Sequence, residues 1–221
     1  PRGQGDPSRV RSVLPPDDGP AHPLQASGLE LPEADRSRHR TRRGRHRRLE
    51  EEDLARIKKK ARAEGRIVVF VDESGLTQKP HCVRTWSPKG QTPLLFHPFS
   101  WDNLAAIAGI TLWNCYFRLF EGSIKSPQVI EFLNHLQRHL PGRLLIICDG
   151  AAIHRSKIVR QYIADLRGKL WIERLPAYAP ELNPVEYLWA YWKQHELPNL
   201  GARDLWQLSG WAAHGLRRIR R

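Results

Sequence analysis

The apolar positions of this chain alternate between the spacing of strands and the spacing of helices. A continuous apolar run at 66–72, RIVVFVD, predicts a central strand, and RLLIICD at 143–149 predicts a second one. Between them lie shorter apolar runs separated by turn residues, which are CVRTW, TPLLF, LAAIAGITLW and CYFRLF. Runs of this kind are typical of strands joined by tight turns, so we expect an antiparallel meander after the first strand.

Helical spacing marks the segments around these strands. The apolar residues of SPQVIEFLNHLQRHL that share one helix face are Val129, Phe132, Leu133 and Leu136. LEEEDLARIKKKARAEG precedes the first strand, SKIVRQYIADL follows the second, and a last helix is predicted from about Pro184 to His195, after the short strand KLWIERL. The resulting order predicts an α/β fold, a mixed sheet flanked by helices, and it is the element order of the ribonuclease-H-like fold.

Residues 1–48 follow neither spacing. Seven prolines fall in the first 32 residues, and eight arginines crowd the stretch from Arg36 to Arg48. We predict a disordered, basic, Pro/Arg-rich extension here. Two other interpretations stay open, a basic arm that binds DNA phosphates and a stretch that is out of frame or truncated. The domain itself is predicted at 49–215, followed by a basic tail at 216–221.

Composition narrows the class of partner. The formal net charge is +13, from 36 Lys and Arg against 23 Asp and Glu, which favours polyanions. No apolar stretch is long enough to span a membrane, and the first residues lack the apolar central region of a signal peptide. We therefore expect a cytoplasmic protein. The three cysteines form no CxxC pair and are expected to be buried free thiols. The chain contains no methionine, so we expect a fragment or a conceptual translation.

Three acids stand where they can meet. Asp72 and Asp149 each end an apolar, strand-like run, and an unpaired carboxylate in such a place is costly unless a metal or substrate lies outside the strand. A turn acid is the simpler interpretation of either one alone. Glu186 follows Asn183-Pro184-Val185, which reads as a helix N-cap with its capping-box glutamate. Capping and a role in a site are compatible for this residue.

Four motifs in order resemble one known family. VVFVDESG, WSPKGQTP, the D-x-A-x-I-H segment at 149–154 and LPAYAPELNPVEYLWAYWK resemble the catalytic domain of DDE transposases of the mariner-like superfamily, in its bacterial insertion-sequence branch. The resemblance covers about residues 50 to 215. The chain departs from the family at Gly150, where Asn is common, and it shows no helix-turn-helix pattern in residues 1–48.

The resemblance implies a function. Asp72, Asp149 and Glu186 would be the catalytic triad and would hold Mg²⁺ or Mn²⁺, with two ions expected. The reaction would be DNA phosphodiester cleavage at insertion-sequence ends followed by strand transfer into target DNA. The implied partners are DNA and a second copy of the chain, in the nucleoid of a bacterial cytoplasm. No phosphate-binding GxxxxGK[ST] loop is present, so no nucleotide cofactor is expected.

Other residues are candidates for contacts with DNA. They are Trp86, Lys89, His154, Arg155, Lys157 and Lys193. Core packing, a helix-start hydrogen bond or a solvated basic face explains each of them as simply. Glu73 should point to the face of the strand opposite to Asp72 and is a weaker candidate. Two other functions stay open, another ribonuclease-H-like nuclease such as a resolvase-like enzyme, and an inactive transposase relic that binds DNA without specificity.

Overall fold

The structure is a computed structural model that describes residues 9–13, 55–98, 102–175 and 182–220. Its strands are β1 (Arg9–Val13), β2 (Arg66–Thr77), β3 (Leu94–Pro98), β4 (Asn103–Ile110), β5 (Cys115–Glu121), β6 (Arg143–Cys148) and β7 (Leu170–Arg174). Its helices are α1 (55–63), α2 (Ser126–His139), α3 (Lys157–Asp165), α4 (Pro184–Tyr191) and α5 (Leu205–Arg220), with a 3₁₀ turn at Ala152–Arg155 and a π-helical turn at Trp192–Glu196.

A five-stranded mixed sheet forms the centre of the domain. Its strand order is β5-β4-β2-β6-β7. The central strand β2 runs parallel to β6 and antiparallel to β4, while β7 continues the parallel part and β5 the antiparallel part. This topology agrees with the predicted order of elements, in which a meander follows the first strand and helices separate the later ones.

The two faces of the sheet are covered by different helices. Val69 and Val71 of β2 belong to a core cluster that includes residues of α2 and α3. On the other face, alternate residues of β4 pack against α4, the π-helical turn and α5. The helix α1 covers Leu145 and Ile147 of β6. Because successive side chains alternate between faces, Asp72 faces α4 and Glu73 faces the side of α2 and α3.

The predicted helix at 126–139 is confirmed, together with its buried face. Val129, Phe132, Leu133 and Leu136 are all at most 1% exposed. The backbone N–H of Lys125 donates to Gln128 Oε1 at 3.1 Å, which satisfies one free donor at the helix start. Gly109 of β4 lets the helix approach the sheet, since a Cβ at this position would lie 3.3 Å from Phe132 Cζ.

Part of the predicted meander is wrong. CVRTW at 82–86 forms no strand, because the side chain of Asn199 takes the place of a neighbouring strand. Its amide oxygen accepts from the N–H of Val83 at 2.9 Å, and its amide nitrogen donates to the Val83 carbonyl at 3.1 Å. The next predicted strand, TPLLF, does form β3 in part, but it pairs with β1 outside the five-stranded sheet.

Strand β1 lies within the segment for which disorder is predicted. Arg9–Val13 pairs antiparallel with β3, although its sequence shows no strand period, because backbone hydrogen bonds need no particular side chain. The rest of residues 1–48 lies outside the described residues. The prediction of disorder for that remainder stays a prediction.

The carboxyl-terminal part also differs from the sequence prediction. The predicted single helix from Pro184 to His195 is an α-helix only to Tyr191 and then a π-helical turn. Residues 216–220, predicted as part of a basic tail, continue α5, and Leu216 is fully buried. Cys115 and Cys148 are buried free thiols as expected, whereas Cys82 is half-buried. Among the described residues, no helix is both long enough and apolar enough to cross a membrane.

Phe132→Ala should destabilise the domain. Phe132 is 0% exposed and lies between α2 and the sheet, so truncation leaves a cavity that costs about 3–5 kcal/mol. The free energy of unfolding from urea titration measures this loss. Ile158→Ala is the control, because Ile158 is 50% exposed and its truncation should change the free energy by less than about 0.5 kcal/mol. Equal effects of the two substitutions would contradict the packing described.

Candidate functional site

Asp72 and Asp149 lie at the same edge of the sheet. The pairing of β2 with β6 ends at Phe70 and Ile147, and each aspartate stands two residues beyond that last pair. The pairing of β2 with β4 continues to Thr77, so Asp72 is within β2 and not at its end as the sequence suggests. The prediction placed the strand end at Asp72 because the apolar run stops there, whereas the antiparallel neighbour β4 supports β2 for five more residues.

The carboxylate of Asp72 is buried beneath α4. The residue is 8% exposed, and Trp189 Nε1 donates a hydrogen bond to Asp72 Oδ2 at 2.8 Å. Burial raises the pKa of Asp72 to about 7, the hydrogen bond from Trp189 opposes this rise, and the negative charges of Glu186 and Glu73 add to it. A carboxyl group in this state is half-protonated at neutral pH, and a cation placed beside it would favour its ionised form.

Glu186 stands on the exposed first turn of α4. The helix begins at the N-cap Asn183, whose side-chain oxygen accepts from the N–H of Val185 at 3.2 Å. The amide nitrogen of Asn183 donates to the Val71 carbonyl at 3.4 Å, which fastens the helix start to β2 beside Asp72. The exposed carboxylate of Glu186 acts electrostatically on Asp72, so the predicted cap and a site role occur together.

Asp149 is more open than Asp72 and has different neighbours. Its side chain is 53% exposed, and Asp149 Oδ1 accepts from the N–H of Ala151 at 3.0 Å. His154, in the 3₁₀ turn that follows, is buried with its Nε2 3.6 Å from Asp149 Oδ1 and 3.2 Å from Glu73 Oε1. Burial lowers the pKa of His154, but the contact with Glu73 and the charges of Glu73, Asp149 and Asp72 outweigh it and raise that pKa.

The predicted site residues therefore fall into two adjoining groups. Asp72 and Glu186 interact on the α4 face of β2, while Asp149 contacts His154 beside Glu73 on the other face. Among the described residues, the ligand atoms that lie within 4.8 Å of one another are those of Glu73, Asp149 and His154. The assignment of Asp72, Asp149 and Glu186 as one triad stays a prediction.

Sequence reasoning undervalued Glu73 and Trp189. Glu73 is the weaker candidate by sequence because it points away from Asp72, yet that direction brings it to His154. Trp189 has the helical spacing of a packing residue and is 3% exposed, but it also donates the hydrogen bond to Asp72. Its position three residues after Glu186, on the same helix face, was the signal that could have linked it to the site.

The other candidate DNA-contact residues are mostly on the surface. Trp86 is 95% exposed, and Lys89, Arg155 and Lys157 are also exposed. Lys193 is half-buried in the π-helical turn. A cavity of about 470 Å³ opens beside His154, and its basic and aromatic lining residues are Lys60, Arg155, Arg160, Arg174 and Trp171.

Comparison with known proteins supplies the context of this site. Residues 67–209 match the family described as DDE superfamily endonuclease. The search of curated proteins finds no match. The chain is similar in structure to the Mos1 mariner paired end complex with Mn, at a TM-score of 0.56 and 21% identity over 86% of this chain. It spans 56% of the Mos1 chain in that complex, that is, little more than half of it.

Two further solved structures are of a catalytic domain alone. The catalytic domain of Mos1 mariner transposase matches at a TM-score of 0.51 and 17% identity, with 85% of this chain and 83% of that chain covered. The Mos1 transposase catalytic domain with Raltegravir and Mn matches at a TM-score of 0.51 and 19% identity, covering 86% of this chain and 85% of that one. Likeness at such identities establishes the fold, and the predicted ribonuclease-H-like mixed sheet flanked by helices is confirmed.

Asp72→Asn should change how stability depends on pH. In the folded wild type, Asp72 keeps a proton up to about pH 7, whereas the unfolded chain releases it near ~pH 4. The contribution of this group to stability is therefore complete below about pH 4 and is lost as pH rises to about 7. Between pH 4 and pH 8, we expect the stability of the wild type relative to Asp72→Asn to fall by roughly 2–4 kcal/mol.

Urea unfolding of both proteins in the presence of a chelator, at several pH values, measures this difference. Asp165→Asn is the matched control, because Asp165 is exposed at the end of α3. A difference between wild type and Asp72→Asn that stays constant with pH would show that Asp72 titrates normally.

Proposed function

We propose that this chain, which belongs to the DDE superfamily endonucleases, is the catalytic domain of a transposase. It would cleave DNA at the ends of an insertion sequence and join those ends to target DNA. The observation that carries the proposal is the placement of Asp72 and Asp149 at one edge of the sheet, with Glu186 acting on Asp72 from α4. The net charge of +13 suits a polyanionic substrate.

The donor atoms at this edge fit a hard divalent cation. Asp72, Asp149 and Glu186 offer only carboxylate oxygens, which Mg²⁺ and Mn²⁺ prefer. The charges that shift the pKa of Asp72 are both negative, so a cation at this edge would relieve their repulsion. We propose that these three residues hold two such ions, which, when bound, supply an activated oxygen nucleophile and stabilise the leaving oxygen.

The protein's own contacts prepare these carboxylates. Trp189 donates to one oxygen of Asp72, which fixes the orientation of this carboxylate on the α4 face of β2. Asn183 sets the position of α4 and hence of Glu186 relative to β2. The N–H of Ala151 orients Asp149 from the loop after β6. Side chains held in this way lose little conformational entropy when a ligand binds.

Basic side chains near the edge would position the DNA backbone. Arg155, Arg160, Arg174 and Lys60 surround the cavity beside His154, and Lys157 begins α3 next to it. Such cations bind phosphates without reading sequence, so affinity should fall steeply with salt. Trp86 and Lys89, in the exposed loop before β3, and Lys193 are proposed as further contacts with DNA.

The remaining parts of the proposal follow from the four sequence motifs. We propose from them that the chain belongs to the bacterial insertion-sequence branch and is part of a nucleoid-associated protein that pairs two element ends as a homodimer. Related structures are a paired end complex and a strand transfer complex of Mos1, which supports DNA as the partner here.

Asp149→Asn should abolish metal-dependent cleavage. Nicking of supercoiled plasmid DNA in Mg²⁺ or Mn²⁺ measures the activity, and loss of one charged ligand should lower the rate by roughly 100-fold or more. Asp165→Asn makes the same chemical change on an exposed helix end and should cut like the wild type. Cleavage retained by Asp149→Asn would contradict the proposed site.

A second substrate separates a transposase from a general nuclease. Linear duplexes that carry the terminal inverted repeats flanking the gene should be cut at their ends in preference to duplexes with scrambled ends. Joining of those ends to plasmid DNA would complete the reaction. Equal cleavage of both duplexes would favour another ribonuclease-H-like nuclease.

A further inference from the structure

A second group of metal-ligand atoms lies behind Asp72, on the opposite face of β2. Glu73 follows Asp72 in the strand and points to the side covered by α2 and α3. There its Oε1 is 3.2 Å from His154 Nε2, and Asp149 Oδ1 is 3.6 Å from the same nitrogen. This group differs from the proposed catalytic carboxylates by containing a nitrogen donor.

Two atoms of this group are buried without a hydrogen-bond partner. The side chain of His154 is 3% exposed, and its Nε2 makes no aligned hydrogen bond with any described residue. Glu73 Oε1 is also buried and makes no aligned hydrogen bond with any described residue, although it lies close to Nε2. Buried polar atoms are nearly always satisfied, and these two atoms, 3.2 Å apart, make only a poorly aligned contact with each other, so a cation bound to both would satisfy them better.

The separations suit ligands of one ion. Zinc binds His nitrogen and carboxylate oxygen at roughly 2.0–2.2 Å, which places neighbouring ligands about 3.0–3.6 Å apart. The two distances at His154 Nε2 fall in that range, and all three ligand atoms lie within 4.8 Å of one another. Asp149 is half exposed, which leaves a side of the group open to water as a further ligand.

We infer that Glu73, Asp149 and His154 form a binding site for a divalent transition-metal ion of the zinc class. Imidazole nitrogen suits Zn²⁺ and Co²⁺, whereas Mg²⁺ takes oxygen ligands and keeps its waters, so Mg²⁺ should compete weakly. Binding of the ion at this site does not depend on the proposed function. Inhibition of cleavage does rest on the proposed function: because Asp149 is shared with the proposed catalytic site, bound Zn²⁺ should inhibit cleavage in Mg²⁺.

Titration of the full chain with Co²⁺ tests the site by its visible absorption spectrum. The wild type should bind Co²⁺ saturably, and Zn²⁺ should displace it. His154→Gln and Glu73→Gln should each weaken binding by at least about tenfold. His214→Gln is the matched control, since His214 is exposed on α5 and its loss should leave the affinity unchanged.

Co²⁺ can also enter the proposed catalytic site, so the decisive comparison uses a Glu186→Gln background. That substitution weakens the site on the α4 face and leaves Glu73, Asp149 and His154 intact. Adding His154→Gln to it should still remove saturable Co²⁺ binding. Circular dichroism and thermal unfolding establish that each variant is folded before its affinity is compared.

Three results would overturn the inference. They are the absence of saturable binding, equal affinity in the Glu186→Gln protein with and without His154→Gln, and a thiolate-to-metal absorption band that assigns the ion to a cysteine. If no saturable binding is found, an ion pair between protonated His154 and Glu73 explains their contact.

The Mg²⁺-dependent nicking assay tests the proposed function independently. Nicking without His154-dependent metal binding would overturn only this inference. Metal binding without nicking would overturn only the proposed function.

Inhibition is measured separately as the Zn²⁺ concentration that halves the rate of nicking in Mg²⁺. In the wild type this concentration should match that for displacement of Co²⁺. Relative to its own uninhibited rate, the Glu73→Gln protein should need at least about ten times more Zn²⁺. Equal sensitivity of the two proteins would overturn the regulatory consequence.

Discussion

The burial of the Asp72 carboxylate beneath α4 constrains the elements around it. A carboxylate that loses its hydration must be protonated, hydrogen bonded or paired with a cation. Here Trp189 supplies the hydrogen bond, and it can do so only if α4 has a fixed position along β2. Asn183 maintains that position, because its side chain both caps the helix and donates to the backbone carbonyl of Val71. Glu186 is thereby carried to the same edge of the sheet.

The unequal partners of β2 create that edge. β6 stops pairing after Phe70, whereas β4 continues to Thr77, so the strand from Val71 onward has one neighbour only. Asp72 and Glu73 stand at the start of this one-sided stretch and point to opposite faces. Asp149, in the loop that follows β6, lies near Glu73 and His154. One change in pairing therefore directs the carboxylate of Asp72 to the α4 face and that of Glu73 to the face where His154 lies.

Most of the sheet could be predicted from the sequence, and the failures have physical causes. The apolar runs of β2 and β6 and the helical face of α2 reflect burial, which leaves a local pattern. CVRTW has such a pattern but no strand partner, because Asn199, far away in the sequence, bonds to Val83. Residues 216–220 read as a basic tail because they are mostly arginine, yet they are the last turn of α5, in which Leu216 is buried.

The sequence by itself determined the family, the order of the central strands and helices, and the two aspartates that follow the apolar runs, because strand burial, helix caps and motif spacing are local properties of the chain. Only the tertiary structure decided which acids share a face, that Trp189 bonds to Asp72, and that His154 lies between Glu73 and Asp149. These contacts join residues up to 117 positions apart, and they depend on strand register and helix placement, which no local pattern records.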